Sequence, residues 1–250
     1  MNREELTKKW FGNIYFDEES HTYTDDYNTT YSSVTKYIGE FFPKFKQEEQ
    51  AKAYGERLAR KGIIKTTEQI LQEWDDKRDF GRDIHNRIEV LLSNPEYVPT
   101  DEFLEGEHPL VRNALRVVRG LKSLYNIKYV YPEVRVFNKD LRLAGTIDLL
   151  MITHDDKIVL GDFKTSNTIY KGNKQHDTHE LTKHLPNNNY TKYSLQLNAY
   201  SSLLPREYEV VKSFIVHLLP NDYSKTTLYP IGNYSEVINS LFDLRKGGGE

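Results

Sequence analysis

Leu141-Arg-Leu-Ala-Gly-Thr-Ile-Asp148, then His154-Asp-Asp-Lys157, then Val159-Leu-Gly-Asp-Phe-Lys-Thr-Ser166 is the stretch whose reading decides the fold. Its outer parts read as two strands and its middle as the turn of a hairpin. Side chains on a strand alternate between faces, so Asp162 and Lys164 share one face while Gly161 and Phe163 take the other. If the strands pair across Asp155-Asp156, Asp148 runs past Asp162. Two carboxylates and an ammonium then gather at the end of a sheet. Carboxylates that close repel unless a cation sits between them. Oxygen ligands of this kind suit Mg²⁺ or Mn²⁺. Taken alone, Asp-x-Lys is more often a solvated strand face. Two features weigh against that here. Gly145, three residues before Asp148, leaves room for a close neighbour. Asp162 follows the apolar run Ile158-Val-Leu160, where an unpaired charge is expensive.

Composition bounds the setting. The chain has 250 residues, 38% hydrophobic and 28% charged, enough for one sizeable domain or two small ones. It contains no apolar run of about 18 residues, so no membrane span is expected. Met1-Asn-Arg-Glu-Glu5 lacks the apolar core of a secretory signal. Cysteine is absent, which removes disulfides, cysteine-ligated zinc and iron–sulfur clusters and fits an intracellular protein. With a net charge of −3, any nucleic-acid contact must rest on local positive charge. The 18 tyrosines are either core or platforms for stacked bases.

Upstream, Asp79 to Leu92 is a helix whose stripe is Phe80, Ile84, Ile88, Leu91 and Leu92. His85 flanks that stripe, with Gly81 one turn before it and Glu89 one turn after. A lone histidine there is usually a core or boundary residue. Before this, Asn13–Phe16 and His21–Thr24 read as a hairpin. A helix is expected near Val34–Phe41, capped by Ser32 or Ser33 and ended by Pro43. Residues 46–61 are helical, and Thr66-Thr-Glu-Gln69 opens a further short helix, Ile70–Trp74, with a capping box. Pro109–Tyr125 is amphipathic, with Arg112, Arg116, Arg119 and Lys122 on its polar side; this is a solvated face or a phosphate contact. A strand follows over 128–138, with Pro132 marking an edge or a start. Asn167–Tyr190 is polar and aperiodic and is expected to be mobile, with Lys171, Lys174, Lys183 and Lys192 in or beside it and Tyr170 and Tyr190 available for stacking. Its His176-x-x-His179 has no cysteine to support zinc. Tyr193–Leu204 is helical, with Gln196 and Tyr200 sharing a face. Strands at 208–219 and 226–229 and a helix at 234–245 complete the chain.

Gly81-x-x-x-His85, Gly145-Thr-Ile-Asp148, Asp162-Phe-Lys-Thr165 and Gln196-x-x-x-Tyr200 each occur once, in that order. The set resembles the PD-(D/E)XK nuclease superfamily and, within it, the RecB-like branch. The opening, with His21-Thr-Tyr and Ser33-Val-Thr, is similar to phage and mitochondrial genome-maintenance exonucleases of that superfamily. The resemblance implies an α/β fold: a central mixed sheet flanked by helices (a restriction-endonuclease-like core), with an N-terminal hairpin and a helical insertion. The chain is then one nuclease domain. Its parts are a hairpin and helix over 1–45, a helical part over 46–125, a catalytic sheet over 126–230 containing the 167–190 loop, and a closing helix and tail over 231–250.

The resemblance also implies chemistry. Asp148, Asp162 and Lys164 are the expected catalytic residues. His85, Asp148, Asp162 and the Phe163 carbonyl are the expected ligands of Mg²⁺ or Mn²⁺, without an iron–sulfur cluster. Gln196, Tyr200, Thr165, Ser166 and the Arg112, Arg116 and Arg119 face are expected at the substrate. Glu133 is similar to an acid on the first sheet strand of RecB-like nucleases; a structural salt bridge is the other reading for it, and Glu89 is a further candidate. The implied activity is metal-dependent cleavage of DNA, most in keeping with an exonuclease acting at ends in recombination, repair or phage DNA processing. A structure-specific endonuclease or junction resolvase, a non-catalytic DNA-binding member, and a component of a recombination or replication complex are the alternatives.

Overall fold

The structure, a computed structural model, describes residues 2–18, 20, 22–93, 104–170 and 176–247. His21, Lys171 and Lys174 therefore lie outside the described residues. The hairpin that the central stretch predicts is present: β5 (Leu143–Thr153) and β6 (Ile158–Lys164) pair antiparallel, Leu149 with Gly161 and Ile152 with Ile158. Extending that register by one step sets Asp148 opposite Asp162. On its other edge β5 pairs antiparallel with β4 (Ile127–Asn138). Beyond β6 lie β7 (Val210–Leu218), parallel to it, and β8 (Thr226–Pro230), antiparallel to β7.

The N-terminal strands join the same sheet. β1 (Ile14–Asp17) and β2 (Thr22–Asp25) form the expected hairpin, and β3 (Thr30–Ser33) pairs with β2 and then parallel with β5 at Leu143 and Ala144. The sequence reading has no strand β3, because two backbone pairings on Ser32 and Ser33 leave no apolar pattern to read. The result is a mixed eight-stranded sheet flanked by helices, in an α/β arrangement. Among the described residues β4 pairs only with β5, so of the two readings of Pro132 it is the edge, not the strand start, that holds.

The order of partners along β5 matters for the site. β4 occupies one edge of β5 over its whole length. β3 takes the other edge at 143–144 and β6 takes it at 149–152. Gly145 to Asp148 lie in the fork between them. There the Phe163 N–H donates to the Asp148 Oδ2 carboxylate oxygen at 2.9 Å, where a regular ladder would offer a backbone carbonyl.

Helices cover both faces. On one face α2 (Val34–Gly39), α6 (Asn189–Leu203) and α7 (Ser235–Gly247) bury Val34, Leu195, Leu197 and Leu241 against Val136, Leu150, Leu160 and Ile215. On the other, α4 (Thr67–Ser93) and α5 (Pro109–Leu124) bury Ile84, Ile88, Leu115 and Val118 against Leu149, Met151, Val159 and Phe163. α3 (Gln47–Ala59) buries only Ala51 and packs along α4. The two helical pieces expected at 70–74 and 79–92 are one helix of 27 residues. Its start is the capping box that Thr66 and Gln69 predict: the Gln69 N–H donates to Thr66 Oγ1 at 3.2 Å, and the Thr66 N–H donates to Gln69 Oε1 at 2.9 Å. The charged stretch between the pieces continues the helix because its charges pair one turn apart, as Arg78 does with Asp75.

One element has no counterpart in the sequence reading and one expectation is corrected. The N-terminal residues form a helix, α1 (Arg3–Trp10), with a capping box between Asn2 and Glu5. The segment 167–190 is not a free polar loop in its described parts. Ile169, Thr182 and Leu185 are buried, and Thr182 Oγ1 donates to the Phe41 carbonyl at 2.6 Å. His179 meets the Phe41 ring edge-on and His176 lies tilted against Phe42. Tyr170 and Tyr190 stack on each other with ring centroids 4.6 Å apart, and Tyr170 remains exposed. Lys183 pairs with Glu180 at 2.5 Å and Lys192 lies over the Phe42 ring. Scattered residues without period, Thr182, His176 and His179 among them, anchor this segment to Phe41 and Phe42 just after α2, a signal that periodicity does not register.

Candidate active site

An open cleft of about 710 Å³ runs across the fork in β5. Four elements supply its floor. β5 brings Asp148, β6 brings Lys164, α4 brings His85, and β4 brings Glu133. One ligand atom each from His85, Glu133 and Asp148 lies within 4.8 Å of the others, and this is the only such cluster of three among the described residues. His85 Nδ1 is 3.5 Å from Asp148 Oδ2.

Glu133 reaches the cluster through its backbone. It lies between the pairings of Pro132 with Leu149 and Val134 with Ile147, opposite Asp148. Its φ of 50° places it in the left-handed region, which costs a residue with a Cβ on the order of 1 kcal/mol. A proline beside a left-handed residue interrupts the ladder and turns the carboxylate toward His85. The sequence reading ranked Glu133 below Asp162; the geometry puts it inside the cluster.

Asp162 is deeply buried beside Asp148 and turns toward Lys164, whose Nζ is 2.7 Å from its Oδ2. It makes no other polar contact among the described residues. Lys164 Nζ also stands 4.8 Å over the Tyr193 ring. The two residues share a strand face, as alternation required, and form an ion pair there. Tyr193, one turn before Gln196 on α6, is a site residue that the motif reading missed.

Burial, with neighbouring charges second, sets the electrostatics. Burial, then Asp148 and Glu89, push the Glu133 carboxyl up to about 8. Burial raises Asp148. Burial and Asp148 push Asp162 up to about 6 against the pull of Lys164. Burial disfavours the Lys164 ammonium, but Asp162 and Asp148 outweigh it and hold the group above its ordinary range. His85 is lowered to about 4 by burial and Lys164, so its ring is neutral near pH 7. A neutral imidazole is the form that ligates a metal.

The remaining predicted residues fall into two groups. Thr165 and Ser166 line the cleft; a Cβ on Gly81 would lie 2.6 Å from Thr165 Oγ1, so the bare patch beside His85 is where Thr165 packs. Glu89 lines it too, but is paired with Arg3 from α1. Gln196 and Tyr200 do not line the cleft. They are buried behind it, with Gln196 Nε2 donating to the Tyr200 hydroxyl at 3.2 Å. The Tyr200 ring fills the space over Gly145, where a Cβ would meet its Cε1 at 2.5 Å. The pair therefore supports the fork from beneath. Arg112, Arg116 and Arg119 lie on α5 and do not line the cleft. Its cationic lining comes instead from Arg3, Lys77, Arg78, Arg82 and Arg135. No helix among the described residues is long and apolar enough to cross a membrane.

No family model and no curated protein matches the chain. Among solved structures, one described as the crystal structure of SSO0001 is similar over 88% of this chain and 76% of that one, with a TM-score of 0.37 and 15% identity. A likeness at that level carries no argument about fold or chemistry.

Proposed function

We propose that the chain is a Mg²⁺- or Mn²⁺-dependent deoxyribonuclease with a restriction-endonuclease-like core, hydrolysing phosphodiester bonds at DNA ends. The observation that carries this reading is the convergence of His85, Glu133 and Asp148 within 4.8 Å beside the Asp162–Lys164 ion pair, on the floor of an open cleft with cations in its walls. The donor set fits a small divalent cation. Two carboxylates and a neutral imidazole offer oxygen and nitrogen ligands. Burial and mutual repulsion push the carboxyls toward their neutral forms, a penalty that a cation removes.

Glu133, Asp148 and His85 would hold the ion. When bound, it would lower the pKa of a water and neutralise charge on the scissile phosphate. The Phe163 N–H fixes the Asp148 carboxylate at 2.9 Å, which sets where its second oxygen points. Asp162 keeps Lys164 charged, and Tyr193 bounds the space in which the ammonium moves. Lys164 is then placed to stabilise charge developing on the phosphate. DNA suits the cleft walls, whose arginines and Lys77 can pair with phosphates.

Action at ends follows from the resemblance of the motif set to RecB-like exonucleases. Its test is substrate topology. With Mn²⁺ the protein should degrade linear duplex or single-stranded DNA and spare covalently closed circles. Nicking or linearisation of closed circles would replace the exonuclease with an endonuclease. DNA bound but uncut with either metal would make it a binding protein.

A further inference from the structure

Among the α4 residues that line the cleft, Trp74, Arg78, Arg82, His85 and Glu89 recur at steps of three and four residues, with Lys77 one turn after Trp74. The opposite stripe, Ile70, Ile84, Ile88 and Leu91, is buried. Along the cleft-lining stripe the chemistry changes in order: an aromatic, then three cations, then the metal cluster. Trp74 and His85 are eleven residues apart, roughly 16 Å along the axis.

Trp74 is not a lone ring. Phe45 lies 5.9 Å from it and Tyr54 6.3 Å, both tilted by 44°, and the Arg57 guanidinium lies 5.3 Å over the Tyr54 ring. Phe45 is 69% exposed, which a large aromatic side chain in a packed role would not be. The cations beyond Trp74 are held by contacts that are easily exchanged. Arg78 pairs with Asp75, and Arg82 with Asp79 at 2.5 Å, both one turn apart on the exposed helix surface. Such surface pairs are worth little, so phosphates can take the arginines. Aromatic platforms beside a cationic track are the chemistry of single-stranded nucleic acid, because unpaired bases present faces and duplex bases do not.

We propose that the α4 stripe is a rail for single-stranded DNA: bases stack on the Phe45–Trp74–Tyr54 platform, and Lys77, Arg78 and Arg82 carry the phosphates toward the metal cluster. This deepens the nuclease reading and rests on it for what happens at the cluster, but the rail itself is a binding site that needs no turnover. The substrate class it implies is a DNA end with an unpaired tail long enough to span the distance from Trp74 to His85.

The experiment uses binding in EDTA, where cutting is excluded. A Trp10→Phe protein retains Trp74 as its sole tryptophan, and an oligo-dT strand is titrated against its fluorescence, with a blunt duplex of equal length as the competitor. The rail requires that oligo-dT quench Trp74 and bind more tightly than the blunt duplex. Trp74→Ala should weaken oligo-dT roughly tenfold or more, and Trp74→Phe much less. Changing Lys77, Arg78 and Arg82 together to Ala should flatten the plot of log affinity against log salt by about two units. Equal affinity for blunt duplex and oligo-dT, or an unaltered affinity in a folded Trp74→Ala protein, overturns the rail and leaves the nuclease reading standing if Mn²⁺ still supports cleavage. Quenching and tight oligo-dT binding with no cleavage on adding Mn²⁺ would keep the rail and overturn the nuclease reading.

Discussion

Replacing Glu133 by Gln removes a charge at nearly constant volume, and should stabilise the metal-free protein by an amount that metal binding to wild type largely offsets. In the metal-free fold burial, Asp148 and Glu89 push this carboxyl up to about 8, against an ordinary value of 4.5. The folded value is the higher one. The contribution of Glu133 to stability is therefore intact below about pH 4.5 and is lost progressively as the pH rises toward 8. One proton changes stability by at most about 1.4 kcal/mol per pH unit. Between 4.5 and 7 the loss is then on the order of 3 kcal/mol. Gln carries no such penalty. In EDTA at pH 7 the Glu133→Gln protein should melt higher than wild type, by roughly 5–10 °C for a chain of this size. Wild-type stability should fall from pH 5 to 8, and the variant should show a flatter profile. Mn²⁺ at a hundred times its Kd should add about 2.7 kcal/mol to wild type, and far less to a variant lacking a ligand. Thermal melts at three pH values, with EDTA or Mn²⁺, measure all of this. A variant that melts below wild type at pH 7 in EDTA, or that gains the wild-type increment from Mn²⁺, would refute the crowded-carboxylate account.

Other substitutions probe the surroundings. Gly145→Ala puts a Cβ 2.5 Å from the buried Tyr200 ring and should cost about 1–3 kcal/mol; a shift back toward wild type on adding Tyr200→Leu would confirm the clash as its cause. Lys164→Met strands the buried Asp162 carboxylate and should lower any cleavage rate at least about a hundredfold, with Mn²⁺ binding by calorimetry retained. Arg112→Ala with Arg116→Ala should leave the salt dependence of DNA affinity unchanged, since neither residue lines the cleft; a flatter slope would restore α5 as a phosphate contact. Thr182→Val removes its bond to the Phe41 carbonyl and should cost about 1 kcal/mol in chemical denaturation, whereas no change would mean that the 167–190 segment is as loose as its polar composition implies.

The sheet hairpin and its acids were legible because alternation and one turn place Asp148, Asp162 and Lys164 without reference to the rest of the chain. The histidine helix was legible from its apolar stripe and its glycine. Glu133 was harder. Its approach depends on a left-handed residue beside a proline, a local conformation that period-two reading does not express. Arg3 was hidden because α1 is short and its capping Asn2 and Glu5 look like an ordinary charged terminus. The four cations of α5 attracted attention by purity of sign, yet orientation around the sheet decides which cations meet the cleft, and no local pattern carries it. Gln196 and Tyr200 were correctly placed on one helix face. Whether that face meets the cleft or underlies it depends on Gly145, far from Tyr200 in sequence but against its ring in the fold.

The most direct test of the metal-centred account is a time course on linear DNA labelled separately at each end, with Mn²⁺, Mg²⁺ or EDTA, for wild type and Asp148→Asn. Asp148 is the residue common to the ligand cluster and the strand fork, and Asn preserves its shape. The account predicts hydrolysis by wild type with either metal, none in EDTA, and at least about a hundredfold slower hydrolysis by a folded Asp148→Asn protein. Cleavage that survives EDTA, or a wild-type rate in Asp148→Asn, would contradict it.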